Sequence, residues 1–182
     1  MITMLKLATI WLGGCSGCHM SFLDTDEWLI DLAARVEVVY SPLVDAKVYP
    51  RDVDVALVEG AVANDDHLRM IGLVRARTKL LISFGDCAIS GNATALRNPL
   101  GAPEALVRLI YAERADAHGQ PPDAAGIVPA LLGQVRPVHA VVPVDVYLPG
   151  CPPPAARIRA ALEQLLAGEP VRLAGRDQLK FG

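Results

Sequence analysis

The sequence predicts an α/β protein with an open, mostly parallel sheet that carries helices on both faces. Short, mostly apolar runs, typical of strands buried on both faces, alternate with segments whose apolar residues recur at helical spacing. This alternation indicates βαβ units with right-handed crossovers. Because 182 residues is close to the size of one ordinary domain, we expect residues 1–182 to form a single domain.

Five segments have the composition of buried strands: residues 5–12, 36–40, 53–58, 79–84 and 144–148. The first is mostly apolar, and a glycine-rich stretch at residues 13–17 ends it. Pro42 and Pro50 interrupt the connection between the second and the third. The strands are therefore separated by connections long enough to hold helices or extended loops.

Helices are predicted at residues 20–34, 65–77, from Pro103 onward and at 153–167. In the first of these, six apolar residues recur at helical spacing: Phe22, Leu23, Trp28, Leu29, Leu32 and Ala33. Residues 113–142 contain several prolines and glycines, which predicts a long surface excursion with a short helix at 127–132. Gly168 is a stop signal for the last helix. The order of strands and helices predicts a flavodoxin-like architecture.

The composition contains more apolar residues than a fully hydrated surface needs. Hydrophobic residues make up 52% of the chain and charged residues 20%, with a mean hydropathy of +0.33. Typical soluble domains have about 45–50% apolar and about 25% charged residues. A membrane span needs about 20 consecutive apolar residues, and the run at residues 7–12 is far shorter. We therefore expect no membrane span and a large protein partner that covers the apolar excess.

The start of the chain does not have the pattern of a secretion signal, in which a basic region, a long apolar core and a small-residue cleavage site follow in order. We therefore expect a cytoplasmic protein, whose four cysteines are metal ligands or catalytic thiols rather than disulfides. The net charge of −3 without a basic block argues against nucleic acid as the main partner.

All four cysteines follow predicted strands. Cys15 and Cys18 come after the first strand, Cys87 after the fourth and Cys151 after the fifth. Because parallel strands end at one edge of a sheet, where such folds bind ligands, we expect the four thiols to converge. They complete the four-thiolate set that a [4Fe-4S] cluster uses. The neighbouring glycines suit a loop that exposes backbone N–H groups to a bulky anion.

Three other roles for these cysteines stay open. Buried structural cysteines are common in apolar cytosolic domains. A structural zinc site also uses four thiolates, but its ligands usually come as two C-x2-4-C knuckles, and only Cys15 and Cys18 form one here. A thioredoxin-like redox pair at those two positions would leave Cys87 and Cys151 unexplained.

Two further residues could tune such a cluster from its surroundings. His19 lies next to Cys18 and could donate a hydrogen bond, and Glu59 ends the third strand on the same sheet edge. The alternatives are a surface or capping role for His19 and a cap or salt bridge to a neighbouring loop for Glu59. No residue of this chain is predicted to be catalytic. The glycine loop matches no nucleotide-binding motif, so FMN on this chain would rest on fold analogy alone.

Four motifs resemble one known family over nearly the whole chain. They are WLGGCSGCHMSFLD at residues 11–24, VEG at 58–60, GDCA at 85–88 and PGCPP at 149–153. In this order they resemble the small subunit of [NiFe] hydrogenases, especially of the soluble NAD-reducing kind. This subunit is similar to the 20 kDa subunit of NADH:ubiquinone oxidoreductase.

The resemblance implies that Cys15, Cys18, Cys87 and Cys151 hold one [4Fe-4S] cluster next to a Ni-Fe site on a separate large subunit. Electrons from H2 oxidation would pass through this cluster to a diaphorase whose iron-sulfur clusters and FMN reduce NAD+. The chain would then be the electron relay of a hydrogen dehydrogenase and would carry neither the H2 site nor the NAD+ site.

Two departures separate the chain from neighbouring families. The quinone-reducing subunit of respiratory complex I has adjacent cysteines at the first position, whereas two residues separate Cys15 from Cys18 here. Small subunits of membrane-bound uptake hydrogenases add an export signal and a C-terminal domain with further clusters, neither of which we expect here. A complex I-like subunit that feeds quinone and a zinc-bearing assembly protein remain as alternatives.

Overall fold

The computed structural model describes residues 4–113, 119–122, 124 and 126–181. Its strands are β1 (Leu5–Trp11), β2 (Val36–Tyr40), β3 (Val53–Glu59), β4 (Val62–Asn64), β5 (Thr78–Phe84), β6 (Leu131–Arg136) and β7 (Val146–Leu148). Its helices are α1 (Gly17–Leu23), α2 (Trp28–Ala33), α3 (Asp65–Arg77), α4 (Asp86–Ser90), α5 (Asn92–Ala95), α6 (Pro103–Arg108), α7 (Ala155–Leu166) and α8 (Arg176–Leu179). A π-helical turn, Leu109–Glu113, continues α6.

Five parallel strands form the main sheet in the order β2-β1-β3-β5-β7. Counted along the chain within this sheet, the order is 2-1-3-4-5, which is the flavodoxin-like order. The strand order reverses between β1 and β3, and folds of this kind bind ligands outside the carboxyl ends of the strands at that point. The predicted open, parallel α/β sheet is confirmed.

Helices pack on both faces of this sheet because side chains alternate along each strand. On one face, Leu57 belongs to a buried cluster with Phe22 of α1 and Ile158 of α7. On the other face, Val58 packs in a second buried cluster with Ile71 of α3. The central strands are therefore buried on both sides, which is why they appear in the sequence as continuous apolar runs.

The prediction of one continuous helix over residues 20–34 is wrong, because the segment forms two separate helices. α1 begins earlier, at Gly17, and ends at Leu23, and α2 begins only at Trp28. Between them, the Thr25 hydroxyl donates to the Phe22 carbonyl at 2.7 Å, and the following residue, 26, has a φ of 52°. Short polar side chains compete with helical backbone bonds in this way. The apolar periodicity holds in each half but does not reveal the break.

The short helix expected at residues 127–132 is also wrong. Residues 127–130 are turn and irregular chain, and β6 begins at Leu131. β6 pairs antiparallel with β4, in a small second sheet that the sequence pattern does not predict. Asn98 bonds to both backbone groups of Val135, donating to its carbonyl at 2.9 Å and accepting from its N–H at 2.8 Å. Contacts of this kind are long-range and have no local signature. Part of the expected surface excursion, residues 114–118, 123 and 125, lies outside the described residues.

The other predicted elements lie where the sequence places them, with small shifts, whereas the short helices α4, α5 and α8 were not predicted. α3 starts after Asn64, whose side-chain oxygen accepts from the His67 N–H at 2.8 Å as an N-cap. α6 starts at Pro103 as expected. α7 starts at Ala155 rather than at residue 153, behind a run of prolines, and β7 starts at Val146 rather than at 144. Across the described ranges, no helix is both long and apolar enough to cross a bilayer.

Candidate metal centre

The ends of the strands bring the cysteine-bearing loops to one edge of the sheet. Trp11 at the end of β1 pairs with Glu59 at the end of β3. Phe84 at the end of β5 pairs with both Glu59 and Leu148, the last residue of β7. Because neighbouring strands lie about 4.8 Å apart, the loops that follow β1, β5 and β7 begin side by side.

The structure brings the four cysteines together around one cavity at this edge: Cys15, Cys18, Cys87 and Cys151. All four are free thiols, with Cys18 buried, Cys87 half-buried and the other two exposed. The rest of the cavity wall consists of Gly17, Glu59, Asp86, Gly150 and Pro152. Among the described residues, no three His, Cys, Asp or Glu side chains converge closely enough to hold a single metal ion.

The loop that carries Cys15 is fixed by backbone contacts to the chain after β3. Gly13 exchanges two N–H···O bonds of 2.9 Å with Ala61. Gly60 has a φ of 89°, and a Cβ there would lie 2.8 Å from the Gly13 backbone carbon, so the two segments approach this closely only with glycine. The Gly17 N–H donates to the Cys15 sulfur at 3.4 Å. A thiolate at this position therefore already faces a backbone donor.

Asp86 joins the two other cysteine loops. Its backbone N–H donates to the Gly150 carbonyl at 2.9 Å, and its Oδ1 accepts from the Gly150 N–H at 2.7 Å. Because these residues directly precede Cys87 and Cys151, the two bonds set the positions of those thiols relative to each other. Asn92 adds a side-chain donor, from Nδ2 to the Cys151 sulfur at 3.3 Å.

Gly85 allows the loop after β5 to pass close to Cys18. Its φ is 83°, in the region that favours glycine. A Cβ built at this position would overlap the Cys18 sulfur and would also lie 3.4 Å from the Gly150 carbonyl oxygen. A side chain at this position would therefore displace the buried thiol from the cavity wall.

Glu59 and His19 form a buried pair at the cavity. Glu59 Oε2 accepts from the His19 backbone N–H at 2.9 Å and lies 2.5 Å from His19 Nδ1. The two side chains are 1% and 4% exposed, respectively. Glu59 is thus hydrogen-bonded to His19 of α1, the helix that follows β1, and its side chain also lines the cavity. His19 Nε2 is buried and has no hydrogen-bond partner among the described residues.

The surroundings favour the protonated form of the buried thiols when no metal is bound. Burial raises the pKa of the Cys18 thiol far above its ordinary value, and the charges of Glu59 and of the other three cysteines raise it further. Burial also raises the pKa of Cys87, with Cys151 adding to the shift and a hydrogen bond from Thr94 opposing it. Metal binding must therefore release protons. A set of soft sulfur donors fits an iron-sulfur cluster or zinc rather than a hard cation.

Three polar residues at this site were missed by sequence reasoning. They are Asp86 and Asn92, described above, and Arg157 of α7, which donates to the Pro149 carbonyl near Cys151. Asp86 could have been identified from the sequence, because it is an acidic residue directly beside a cysteine at the end of a strand. Asn92 and Arg157 could not have been identified in this way, since each reaches the cysteine loop from a separate helix.

Comparison with known proteins places the chain in a family. Residues 15–165 match the family described as NADH ubiquinone oxidoreductase, 20 Kd subunit. The chain is 36% identical to the delta subunit of the NAD-reducing hydrogenase HoxS of Cupriavidus necator over 175 residues, which cover 93% of this chain and 82% of that subunit. It is 33% identical to a subunit of the F420-non-reducing hydrogenase of Methanothermobacter thermautotrophicus over 180 residues, covering 95% of this chain but 57% of the relative.

The chain thus spans less than two thirds of the F420-non-reducing hydrogenase subunits that it matches. A solved structure of an NAD+-reducing [NiFe]-hydrogenase in the H2-reduced state contains a chain with 36% identity and a TM-score of 0.93. That match covers 99% of this chain and 100% of the other. These findings confirm the resemblance carried by the four sequence motifs. The chain belongs to the NADH ubiquinone oxidoreductase 20 Kd subunit family and, within it, to the small subunits of [NiFe] hydrogenases.

Proposed function

We propose that this chain is the electron-transfer small subunit of a cytoplasmic NAD-reducing [NiFe] hydrogenase, folded as a single iron-sulfur domain. Cys15, Cys18, Cys87 and Cys151 hold one [4Fe-4S] cluster. Electrons from H2 oxidation at the Ni-Fe site of a large subunit pass through this chain. They continue toward an iron-sulfur and flavin diaphorase that reduces NAD+.

The observation that carries this proposal is the cavity lined by all four cysteines of the chain. It lies at the carboxyl edge of a parallel sheet, where folds of this class bind ligands. A [4Fe-4S] cluster uses four cysteine thiolates around a cage, which matches four cysteines that line one cavity. A structural zinc site instead brings four sulfurs to about 2.3 Å from one point.

When bound, a [4Fe-4S] cluster supplies reversible one-electron chemistry, with a potential set by burial, charge and hydrogen bonds to sulfur. Residues of this chain provide those three controls. Cys18 supplies burial, and the donors at Gly17 and Asn92 point to two of the other sulfurs at 3.4 and 3.3 Å. Donors of this kind stabilise negative charge on sulfur and so favour the reduced form.

Glu59 and His19 tune the same site from the cavity wall. The Glu59 carboxylate is buried beside the thiols, and its hydrogen bond to the His19 N–H fixes the backbone directly after Cys18. A buried negative charge opposes the addition of an electron nearby and lowers the reduction potential. A low potential suits exchange of electrons with both H2 and NAD+.

The similarity to NAD-reducing hydrogenases supports NAD+ as the final acceptor. The chain matches one chain of a solved NAD+-reducing [NiFe]-hydrogenase with a TM-score of 0.93 and 36% identity, and the delta subunit of HoxS is also 36% identical to it. The NAD+ site itself would lie on a diaphorase subunit that carries FMN and further iron-sulfur clusters. This chain would then supply the connection between that subunit and the Ni-Fe site.

Exposed apolar side chains near the cavity support a tightly bound partner. Trp11 at the end of β1 is 48% exposed and Met20 of α1 is 56% exposed. The Trp11 indole N–H donates to the Gly14 carbonyl at 3.0 Å, which holds the ring beside the Cys15 loop. An obligate interface, which buries about 2,000 Å² or more in total, would cover such side chains. We assign this interface to the large subunit that carries the Ni-Fe site.

Purification of the native complex tests this function. We expect a nickel-containing subunit and a flavoprotein to copurify with the chain, hydrogen-dependent reduction of NAD+, and a [4Fe-4S] EPR signal after anaerobic reduction. Hydrogen uptake without NAD+ reduction would overturn only the assignment of NAD+ as the final electron acceptor. Reduction of quinone without nickel would favour the complex I-like alternative. Zinc with no reducible signal would overturn electron transfer and favour the assembly protein.

A further inference from the structure

Arg157 is the one lysine or arginine that is buried in the described part of the chain, and it contacts the Cys151 loop. It is the third residue of α7 and is 5% exposed. Its Nη1 donates to the Pro149 carbonyl, two residues before Cys151. The guanidinium also donates to the Lys180 carbonyl at 3.1 Å and to the Asp177 carbonyl. One side chain thus ties the Cys151 loop to the segment that contains α8.

The acceptors of these hydrogen bonds are main-chain carbonyls. A carbonyl stabilises the guanidinium through its dipole but carries no net charge, and among the described residues Arg157 forms no salt bridge that would neutralise it. Burial of a charge is costly and is usually found where the charge has a partner or a function. A neutral donor would be enough to anchor the Pro149 carbonyl. The charge of Arg157 therefore calls for a separate reason.

The cavity beside this loop concentrates negative charge. Glu59 and Asp86 are 1% and 6% exposed, and both line the cavity together with the four cysteines. Asp86 Oδ1 accepts from the Gly150 N–H, and Gly150 follows the residue whose carbonyl binds Arg157. Four thiolates would add to these two carboxylates once a cluster is bound. Arg157 is hydrogen-bonded to the loop that carries Cys151, and charges in a region of low dielectric act on one another more strongly than in water.

We propose that Arg157 is a positioning residue for the Cys151 loop whose fixed positive charge raises the reduction potential of the cluster. Reduction adds an electron to a group that is already negative. A buried cation nearby therefore stabilises the reduced form more than the oxidised form. Arg157 in this way opposes Glu59 and Asp86 and keeps the cluster reducible. The inference rests on the proposed function, since it requires a cluster at the four cysteines.

A redox titration of the purified complex, followed by EPR of this cluster, tests the inference. In Arg157→Gln, which removes the charge, we expect the reduction equilibrium to be less favourable on the order of tenfold, or about 59 mV lower in a one-electron couple. Arg157→Lys keeps the charge and should keep most of the wild-type potential. Arg159→Gln removes a charge from an exposed residue of the same helix, and its potential should be that of the wild type.

The inference is overturned if Arg157→Gln binds the cluster at the wild-type potential, or if Arg157→Lys shifts as far as Arg157→Gln. Should the glutamine variant not retain the cluster, Arg157→Met offers an apolar side chain of similar length. A wild-type reduction potential in this variant would likewise overturn the inference, and a lowered potential would support it. Loss of the cluster from both neutral variants would leave Arg157 as an anchor only and overturn the tuning role. Absence of a [4Fe-4S] signal in the wild type would overturn the proposed function instead.

Discussion

The two ends of the parallel sheet each hold a carboxyl group bonded to a basic side chain, in opposite environments. At the amino ends of the strands, Lys79 pairs with Asp54 at 2.7 Å, with side chains 72% and 28% exposed. At the carboxyl ends, His19 pairs with Glu59 at 2.5 Å, and both side chains are almost fully buried. Exposed pairs contribute little to stability, whereas buried polar groups are costly unless their partners are in place. The buried His19–Glu59 contact therefore distinguishes the edge proposed to bind a ligand from the exposed Lys79–Asp54 pair at the opposite edge.

The largest expected effect is at the carboxyl edge. Cys18→Ser should abolish cluster binding, because a hydroxyl is a poor substitute for a thiolate ligand of iron. Iron content and the EPR signal of the purified complex measure the loss. Asp54→Asn, at the amino edge, is the matched control and should retain both. Wild-type iron content in the Cys18→Ser complex would contradict the assignment of this residue as a ligand.

Gly85→Ala should also lose most of the cluster, although it removes no ligand. The added Cβ would occupy the space of the Cys18 sulfur at a backbone position with a positive φ. Iron per chain in the purified complex is the measurement. The control is Gly72→Ala in α3, where a Cβ meets nothing within 4 Å. That variant should keep its iron and gain about 0.5–1 kcal/mol of stability. Equal iron content in both variants would show that the close approach at Gly85 is unimportant.

Glu59→Ala should lower the free energy of unfolding of the full chain without metal. It leaves the buried N–H of His19 and its ring nitrogen without their acceptor, at a cost of about 1–3 kcal/mol for each unpaired donor. Glu59→Gln should recover part of the loss, because an amide oxygen can still accept. Urea unfolding followed by circular dichroism compares the three proteins. If the Glu59→Ala chain is as stable as the wild type, the buried pair at the carboxyl edge contributes no more to stability than the exposed pair at the amino edge.

The smallest effect is expected for Asp54→Asn. Partial burial opposes the charged form of Asp54, but hydrogen bonds from the Lys79 side chain and the Lys6 N–H outweigh it and lower the pKa. Because the folded pKa lies below the unfolded value of about 3.9, this carboxylate stabilises the fold above that pH. The contribution is lost as the pH falls through the folded pKa. Urea unfolding should thus show a small deficit for Asp54→Asn at neutral pH that vanishes in acid.

The sequence alone was sufficient for the elements whose signals are local. Buried strands appear as apolar runs, and the rule that parallel strands share a carboxyl edge correctly placed the four cysteines together. The pairing of β4 with β6 depends instead on contacts such as those of Asn98, which come from distant parts of the chain. The break after α1 depends on Thr25, a single polar residue inside an otherwise regular apolar period.

The same division holds within the candidate site. Its thiols could be found from the sequence, because cysteines at strand ends are rare and specific signals. The groups that set their geometry and charge could not, since Arg157 and Asn92 approach Cys151 through folding of separate helices. Glu59 was recognised from its position at a strand end, but its partner His19 was assigned a different role. Hydrogen bonds between side chains are set by packing, which a periodic pattern does not record.

β7 determines when this site can be completed during synthesis. It is three residues long, pairs with β5 next to Phe84, and places Cys151 on the loop that follows it. The ribosome delivers Cys15, Cys18 and Cys87 before this strand exists, so the nascent chain first presents an incomplete set of thiols. A site that needs all four thiols therefore cannot be completed before β7 has been synthesised and has paired with β5.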